Sequence, residues 1–391
     1  MSEGALSRFR ILDLSRVRAG PTCVRQFADF GAQVIKVEAA QGADNGMGGP
    51  RLGSDFQNLH RNKRSITLDL KSDKGRAILI SLARRADVLV ENFRPDVKDR
   101  LGIGYTAMRS ENPRLVYASI SGFGQDGPYR MRPGFDQIAQ GMAGLMSVTG
   151  LPGQGPVRAG IPVADLTAGL FAAQGIMAAL LEREVSGEGQ WVQVSLLQAQ
   201  IAMMDFQAAR YLVEGEIAGQ SGNNHPTSIP TGVFQTSDGH VIIAATGDVM
   251  FARLCRTMSL DALLQDSAYE TGPLRSDNRE ALNDAIEAVT LTNTSAHWVD
   301  TLNRAEVPCG PINRMDQVFA DEQVQHMQMA PKVRHPELGE IALVGQAITL
   351  SRTPAALYAA SPGLGEHTDA ILAEIGYTPE QIAALRLEGV I

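Results

Sequence analysis

Short apolar runs alternate with amphipathic stretches over the first third of the chain. The runs are rich in Val, Ile and Leu and predict strands at residues 10–14, 33–38, 65–70, 87–92 and 114–120. The stretches between them predict helices at residues 22–31, 73–85 and 95–101. Strands that alternate with helices are typical of βαβ units, whose parallel strands are covered by helices on both faces. The pattern therefore predicts an α/β fold built on a mostly parallel sheet.

The pattern changes after about residue 130. Helices with little polar surface are predicted at residues 136–146 and 166–184, a short strand at 192–194 and a long helix at 196–213. The polar stretch GQSGNNHPTSIPTG follows and is typical of a linker or an active-site loop. Beyond it, two apolar runs separated by Ser-Asp-Gly predict a hairpin, and charged helices follow. The final helix is predicted at residues 379–388.

These changes predict two domains. The larger is a Rossmann-like domain of residues 1–218, completed by about residues 331–391. Residues 219–231 form the linker or active-site loop, and residues 232–330 form a smaller α+β domain.

The composition excludes several classes of protein. With 391 residues, 44% hydrophobic and 20% charged, the chain has the composition of a globular protein. Its formal net charge of −8 provides no basic field for nucleic acid. Its three cysteines are far apart and odd in number, which favours a reducing compartment, and no metal-ligand spacing occurs. No signal peptide is recognised, and no apolar run is judged long enough to span a membrane. We expect a cytoplasmic protein with neither nucleic acid, membrane nor metal as a partner.

One acid stands alone where a predicted apolar helix begins. In IPVADLTAGL, Asp165 is surrounded by small and apolar residues. Aspartate is a favoured helix N-cap because its oxygens accept bonds from unpaired backbone N–H groups. The same position suits an anionic nucleophile, because a helix N-terminus favours an ionised carboxylate. The local sequence leaves both roles open.

The first two predicted strands and the turn between them resemble a nucleotide site only in part. Glu38 ends the second predicted strand, where an acid can bind a ribose hydroxyl, but the first turn reads SRVRAGP and lacks the glycines of G-x-G-x-x-G. The NAD interpretation is weakened accordingly. Basic residues near predicted strand ends suit a polyphosphate instead, namely Arg18, Lys36, the run Arg61-Asn62-Lys63-Arg64, Lys71, Arg94 and Arg100.

Ten stretches in one order carry a family resemblance. They read ILDLSRVRAGP, AQVIKVE, NKRSITLDLKS, DVLVENFRPDVKDRLGIGY, SISGFGQDGPY, RPGFDQIAQGMAGLMSVTG, VADLTAG, GVFQTSDGHVIIA, VPCGP and LGEHTDAIL. Together they resemble the class III CoA-transferase (CaiB/BaiF) family, which includes CoA-transferases and 2-methylacyl-CoA racemases. The resemblance implies an enzyme that moves CoA between carboxylic acids, uses CoA as substrate and product without a tightly bound cofactor, and forms an interlocked homodimer of ring-like chains.

The resemblance also assigns roles to individual residues. The acid of VADLTAG is the family's nucleophile and falls on Asp165, which implies aspartyl-anhydride and aspartyl-CoA thioester intermediates. The positions implied for CoA binding are Val17, Arg18, Ala19, Leu68, Lys71, Asn92, Phe93, Arg94, Arg100, Arg132, Gly134 and Asp136. Ala39 replaces a basic residue that the family often has after the second strand, and the glycine-rich flap of the formyl-CoA enzyme is replaced by residues 222–226.

Two other functions stay open at this point. The first is racemisation, which in this family needs a His where Phe135 stands, and a phenyl ring cannot move a proton. The second is a CoA- or nucleotide-binding protein without chemistry. The segment VRAGIPVADLTAG favours a dicarboxylyl-CoA such as succinyl-CoA as donor, with Arg158 either pairing with a distal carboxylate or lying in a surface loop.

Overall fold

The computed structural model of the protein describes residues 4–39 and 49–391. The chain divides into two compact units. The first unit comprises the described parts of Met1–Leu145, together with Arg158–Gly215 and Gln323–Ile391. The second unit comprises Met146–Val157 and Glu216–Glu322.

The elements alternate in the order that the apolar pattern predicts. The strands are β1 (Arg10–Asp13), β2 (Gln33–Glu38), β3 (Arg64–Thr67), β4 (Val88–Glu91), β5 (Val116–Ser121), β6 (Trp191–Ser195), β7 (Thr231–Gln235), β8 (His240–Ala244), β9 (Cys309–Pro311), β10 (Lys332–His335) and β11 (Gly339–Ala342). The helices are α1 (Ala19–Asp29), α2 (Ser54–His60), α3 (Asp73–Ala83), α4 (Pro95–Arg100), α5 (Tyr105–Glu111), α6 (Asp136–Met142), α7 (Leu145–Val148), α8 (Val163–Ser186), α9 (Leu196–Met203), α10 (Asp205–Glu214), α11 (Asp248–Thr257), α12 (Gly272–Asp277), α13 (Arg279–Thr290), α14 (Ser295–Arg304), α15 (Met315–Ala320), α16 (Glu322–His326), α17 (Thr368–Glu374) and α18 (Pro379–Leu387). Two 3₁₀ turns lie at Asp261–Leu264 and Ser267–Tyr269.

The first unit is built on a six-stranded sheet of order β3-β2-β1-β4-β5-β6. Every neighbouring pair is parallel, so the predicted parallel sheet is confirmed. The strand order reverses between β1 and β4, which pair directly. In open parallel sheets a crevice forms at the carboxyl ends of the strands where the order reverses, and ligands bind there. The residues that follow β1 and β4 therefore define where a site is expected.

The two faces of this sheet bury alternate residues of each strand. In β1, Ile11 packs on the face covered by α1 and α8, and Leu12 packs on the face covered by α3, α17 and α18. In β4, Val88 and Val90 pack on the first face and Leu89 packs on the second. Side chains alternate across a strand, so apolar residues at consecutive positions indicate burial on both faces. The result is a three-layer core with helices on both sides.

Small residues let α8 approach α1 closely. The buried face of α8 consists largely of alanine and glycine. A Cβ atom built on Gly169 would lie 2.5 Å from the carbonyl oxygen of Ala19, so only glycine fits there. This close packing brings the first turn of α8, with Asp165, to the turn that precedes α1.

The second unit has its own small core. Strands β7, β8 and β9 form an antiparallel sheet, and β7–β8 is the hairpin that the sequence predicts. Its buried residues include Phe234 and Val241 of the sheet, Leu254 of α11 and Trp298 of α14.

The structure differs from the sequence predictions in several helices. The predicted helix of residues 136–146 is divided into α6 and α7, and α2 and α5 were not predicted. The predicted helix of residues 196–213 is divided into α9 and α10 at Asp205, whose φ of 40° lies outside the right-handed helical region. The judgement that no segment is long enough to span a membrane was wrong for α8. Among the described residues, α8 alone is long and apolar enough by length and composition, and half of its most apolar window is buried inside the protein.

The basic run of residues 61–64 does not form a phosphate site. The Arg61 guanidinium forms two hydrogen bonds, of 2.7 and 2.9 Å, to the buried carboxylate of Asp29. Lys63 is buried and donates to Asp13 over 2.8 Å, and Arg64 pairs with Glu374. Buried charges are stable only when they are paired, which explains why Arg61 and Lys63 hold the fold together rather than face solvent. The pair of Arg64 with Glu374 is solvent-exposed.

Candidate active site

Asn92 ties the turn after β1 to the turn after β4. Its Oδ1 accepts from the backbone N–H of Arg16 over 2.9 Å, and its Nδ2 donates to the Arg16 carbonyl over 2.7 Å. The next residue, Val17, has φ of 63°, a conformation that is costly for a β-branched side chain. The two bonds help to hold this strained turn, and Arg18 and Ala19 follow it at the start of α1.

A cavity of about 310 Å³ lies at this switch point. Nine of the predicted site residues line it, namely Val17, Arg18, Ala19, Asn92, Phe93, Arg94, Arg132, Gly134 and Asp165. Gly134 also allows a close approach of two segments, because a Cβ atom on it would lie 2.8 Å from the Cα of Gly122. The structure therefore brings together residues that are up to 148 positions apart in the chain.

A larger cavity, of about 800 Å³, lies along the carboxyl ends of β1, β2 and β3. It is lined by three of the four remaining predicted residues, Leu68, Lys71 and Arg100, and by Phe93 as well. Arg16 and Phe93 line both cavities. The Arg100 side chain is 72% exposed, and its ion-pair partner within the described residues is Asp96, at a distance of 3.7 Å. Its guanidinium is therefore accessible to an anion.

Asp165 is not the N-cap of α8, so the capping interpretation was wrong. The N-cap is Pro162, and Asp165 is the third residue of the first turn. The backbone N–H groups of Ala164 and Asp165 donate instead to Oδ1 of Asp136, over 2.8 and 3.3 Å. Sequence reasoning could not assign this bond, because the acceptor lies 29 residues upstream on α6.

The carboxylate of Asp165 accepts no hydrogen bond from residues 4–39 or 49–391. It is partly buried, and burial together with the nearby Asp136 raises its pKa to about 6, while Arg18 acts in the opposite direction. Arg18 is itself paired with Asp55 over 2.5 Å. A carboxylate that is partly desolvated and free of donors retains its lone pairs for reaction with an electrophile.

Asp136 does not line the cavity, which corrects its assignment as a CoA contact. It is buried, and its second oxygen accepts from Gln140 over 2.6 Å. Both oxygens are thus used within the protein. Asn92 lines the cavity as predicted, but its amide is already engaged by the Arg16 backbone.

Three cavity arginines were missed by sequence reasoning. Arg16 lines both cavities, and its position directly after a predicted strand was a usable signal. Arg76 lines the larger cavity from α3, and Arg130 lines the smaller one from a polar loop. Nothing in the spacing of Arg76 or Arg130 distinguishes them from surface arginines.

The geometry disfavours the other chemistries. Each oxygen of Glu38 already accepts from a protein donor, Arg51 over 2.6 Å and Ser65 over 2.5 Å, so the carboxylate is held within the protein. Phe135 lines the smaller cavity beside Asp165, and no His, Cys, Glu or Lys belongs to its described lining. A proton-transfer partner opposite Asp165 is therefore missing from the described part of this cavity.

A family model, CoA-transferase family III, matches residues 6–368. The chain belongs to CoA-transferase family III. It is 39% identical over 381 residues to succinate–glutarate CoA-transferase of Agrobacterium fabrum, with 95% of each chain covered. It is 37% identical over 392 residues to succinyl-CoA:glutarate CoA-transferase of Mus musculus, with 99% of this chain and 90% of the relative covered.

A solved structure extends the family assignment to the fold. The chain superposes on a CaiB/BaiF family protein from Brucella suis with a TM-score of 0.84 and 34% identity, covering 96% of this chain and 100% of the other. The predicted family and enzyme class are therefore confirmed. The protein is a family III CoA-transferase with a mixed α/β fold, and CoA enters its reaction as a substrate.

Proposed function

We propose that the protein transfers CoA from succinyl-CoA to a short dicarboxylic acid, with Asp165 as the covalent carrier. One observation supports this most directly. The Asp165 carboxylate is partly buried, accepts no hydrogen bond within the described chain, and lines a cavity with at least five arginines, Arg16, Arg18, Arg94, Arg130 and Arg132. Such a group is a nucleophile placed where anionic substrates are attracted.

The reaction requires four acyl transfers. An oxygen of Asp165 attacks the thioester carbonyl of succinyl-CoA, and the C–S bond breaks to release CoA thiolate and form a mixed anhydride. The thiolate attacks the aspartyl carbonyl, releasing succinate and forming an aspartyl-CoA thioester. The acceptor carboxylate attacks this thioester and releases the thiolate, and the thiolate then attacks the acceptor acyl carbon. Acceptor-CoA and the free Asp165 carboxylate result, and no proton is gained or lost overall.

The larger cavity is the proposed site of the CoA nucleotide. Its volume of about 800 Å³ and its basic residues Lys71, Arg76 and Arg100 suit a polyphosphate. Because Arg16 and Phe93 also line the smaller cavity, the pantetheine arm is proposed to pass them toward Asp165. Residues 1–218 with 331–391 form the CoA-binding domain in this proposal, and residues 232–330 form the small domain, with 219–231 between them.

The dicarboxylate specificity is proposed from charge and from the two named relatives. One carboxyl group of each substrate forms the thioester or attacks it, and the other stays ionised. Arg130, Arg132 and Arg158 are exposed, and the first two line the Asp165 cavity, so they are candidates to pair with this distal carboxylate. Both relatives have succinyl or succinate and glutarate in their names, which makes glutarate the first acceptor to test.

The substrate assignment is tested by supplying succinyl-CoA with a panel of acids and measuring each acyl-CoA product by mass spectrometry. We expect glutarate and acids of similar length to accept CoA much faster than acetate or propionate. Equal rates for monocarboxylic acids would contradict the dicarboxylate assignment. Deuterium uptake at the α-carbon of a 2-methylacyl-CoA in heavy water would favour the racemase, and binding of CoA without transfer would favour a non-catalytic protein.

The covalent role of Asp165 has its own test. Wild-type protein incubated with succinyl-CoA and no acceptor is treated with hydroxylamine or borohydride and digested. We expect a modified peptide that contains Asp165, because both proposed intermediates are activated aspartyl carbonyls. An unmodified Asp165 peptide during active transfer would contradict the covalent mechanism.

The proposed CoA site predicts that Arg100→Ala raises the KM for succinyl-CoA about tenfold, because a charge-assisted contact to phosphate is lost and the site is exposed. The KM for the acceptor acid should stay constant. Arg109→Ala is a matched control, since Arg109 is also exposed and lines neither cavity. Equal KM values for both variants and the wild type would exclude Arg100 from the phosphate site.

An interlocked homodimer completes the proposal. Large apolar side chains are exposed on two helices of the first unit, Leu181 (70%) and Val185 (90%) on α8 and Leu212 (79%) and Val213 (82%) on α10. Exposed apolar surface of this kind is typical of a protein interface. A stable, active monomer in sedimentation at micromolar concentration would contradict the dimer. The cytoplasmic location stays a prediction.

A further inference from the structure

The start of α8 is held to α6 by two side chains, Asp136 and Gln140. Asp136 Oδ1 accepts from the backbone N–H groups of Ala164 and Asp165, and Asp136 Oδ2 accepts from Gln140 Nε2 over 2.6 Å. Gln140 Oε1 accepts from the backbone N–H of Ala159 over 2.9 Å, and its Nε2 also donates to the Ile161 carbonyl over 3.3 Å. We call this pair the α6 clamp.

The α6 clamp is buried. Asp136 is 9% exposed and Gln140 is fully buried, so water has little access to these two side chains. The bonds span residues 159–165, which are the approach to α8 and its first turn. Asp136 also places a negative charge against the N-terminus of α8, which is favourable.

Asp165 depends on this clamp for its position. Its carboxylate accepts no hydrogen bond from the described residues, so only its backbone and rotamer determine where the oxygens lie. The backbone N–H of Asp165 is one of the groups that Asp136 binds. Displacement of a reacting group by about 1 Å can reduce a rate by about 100-fold. Loss of the clamp would therefore displace the carboxylate oxygen that reacts.

We propose that Asp136 and Gln140 are positioning residues that hold the Asp165 carboxylate in line with the thioester carbon. This inference rests on the proposed function, in which Asp165 is the nucleophile. Neither side chain lines the cavity, so their action is exerted through the backbone of α8.

The charges around Asp165 make the pH dependence of the reaction a second test, besides its rate. Asp136 raises its pKa and Arg18, at the start of α1, lowers it. Arg25 and Asp29 lie further along α1, and Arg16, Arg94, Arg130 and Arg132 line the cavity. The other elements packed on α8, which are β5, β6 and α9, contain no charged residue. Among the described residues, Asp136 is the one acid whose charge raises the pKa of Asp165.

The first variant is Asp136→Asn, which keeps the shape and the acceptor for the α8 N–H groups. Its amide then presents a donor to Gln140 Nε2, so two donors face each other and the clamp opens. We expect kcat to fall about 100-fold with little change in the KM for succinyl-CoA. We also expect a change in the pH profile of kcat/KM. Its acid limb, where the rate falls as Asp165 is protonated, should move to lower pH, because the charge that raises the pKa of Asp165 is removed.

The double variant Asp136→Asn/Gln140→Glu restores the bond polarity. The new amide at position 136 can donate to the new carboxylate at position 140. The other oxygen of that carboxylate accepts from the backbone N–H of Ala159, although the bond to the Ile161 carbonyl is lost. We expect at least roughly a tenfold recovery of kcat over the single variant, which a general loss of stability would not produce.

Thr378→Ala is the control for a general loss of stability. Thr378 caps α18 by accepting from the backbone N–H of Gln381. Loss of this cap should lower the melting temperature without changing kcat or the acid limb.

Three outcomes contradict this inference. One is a kcat of Asp136→Asn within about threefold of wild type, since a misplaced nucleophile costs far more. Another is a loss of kcat with an unmoved acid limb and no recovery in the double variant, which would indicate a structural role alone. Transfer by a folded Asp165→Asn variant would instead overturn the proposed function, and this inference with it, so the two failures are distinguishable.

Discussion

Asp13 and Asp165 are two acids of the same unit in opposite electrostatic states. Asp13 ends β1 and is completely buried, yet its pKa is lowered, because Lys63 and Lys36 outweigh the effect of burial. Its oxygens accept from Lys63 over 2.8 Å and from the backbone N–H of Ser15 over 3.0 Å. Asp165 is less buried, accepts no bond within the described chain, and has its pKa raised to about 6.

The comparison shows that the partners of a carboxylate, more than its burial, determine its chemistry. A fully satisfied anion such as Asp13 is inert, because its lone pairs are already bonded to donors. Asp13 serves the site indirectly. Its charge attracts Lys36, and Lys36 donates to the Ser15 carbonyl in the turn that leads to Val17. An anion that accepts no bond from the described residues, such as Asp165, lowers the stability of the fold but is available as a nucleophile. Four predictions test this contrast.

The largest expected effect is that of Asp165→Asn on transfer. An amide is a poor nucleophile, so kcat should fall by roughly 10³-fold or more, measured with succinyl-CoA and glutarate. Asp369→Asn is the matched control, because Asp369 is also an acid in the first turn of a helix of the first unit and lines neither cavity. A folded Asp165→Asn variant that transfers CoA at the wild-type rate would contradict the contrast between Asp13 and Asp165.

Lys63→Met should strongly destabilise the protein. It leaves the Asp13 charge buried with a donor removed, at an expected cost of about 3–5 kcal/mol in the free energy of unfolding of the first unit. The measurement is the melting temperature followed by circular dichroism. The double variant Asp13→Asn/Lys63→Met removes both charges and should recover part of the loss. A melting temperature equal to that of the wild type for Lys63→Met would show that the pair contributes little.

Asp165→Asn should stabilise the protein at neutral pH. The pKa of Asp165 is raised from 3.8 in the unfolded chain to about 6 in the fold. Its contribution to stability is therefore present below about pH 4 and is lost as the pH rises through about 6. Because the site is partly solvated, we expect the variant to be more stable by about 1–2 kcal/mol at about pH 8. The gain should shrink toward about pH 4 in parallel thermal melts, and a constant gain would contradict the shift.

The smallest expected effect concerns Arg18→Gln. Arg18 lowers the pKa of Asp165, so its removal should move the acid limb of kcat/KM to higher pH, by about half a unit. Asp55→Asn is the matched control, because it removes the ion-pair partner of Arg18 and keeps the cation beside Asp165. An unchanged limb in Arg18→Gln would show that solvent screens this charge.

The sequence alone predicts the frame of the first unit well. The strand of residues 33–38 has the same bounds in the structure, and the alternation of strands and helices predicted the parallel sheet. The reason is local: apolar runs buried on both faces and intervening amphipathic stretches are properties of short segments. Asp165 could also be predicted from the sequence as the candidate nucleophile, because it lies within an ordered set of short motifs.

Tertiary structure alone decided which charged residues serve the fold and which face the cavities. Arg61 and Lys63 have the composition of a phosphate site but are paired with Asp29 and Asp13, which are 32 and 50 residues away in the chain. The acceptor for the first N–H groups of α8 is Asp136 on another helix, and the Asp165 carboxylate accepts no bond from the part of the chain that the structure describes. Such pairings depend on which distant segments meet in the folded chain, and a charged side chain looks the same in the sequence whether its partner is phosphate, solvent or a buried ion.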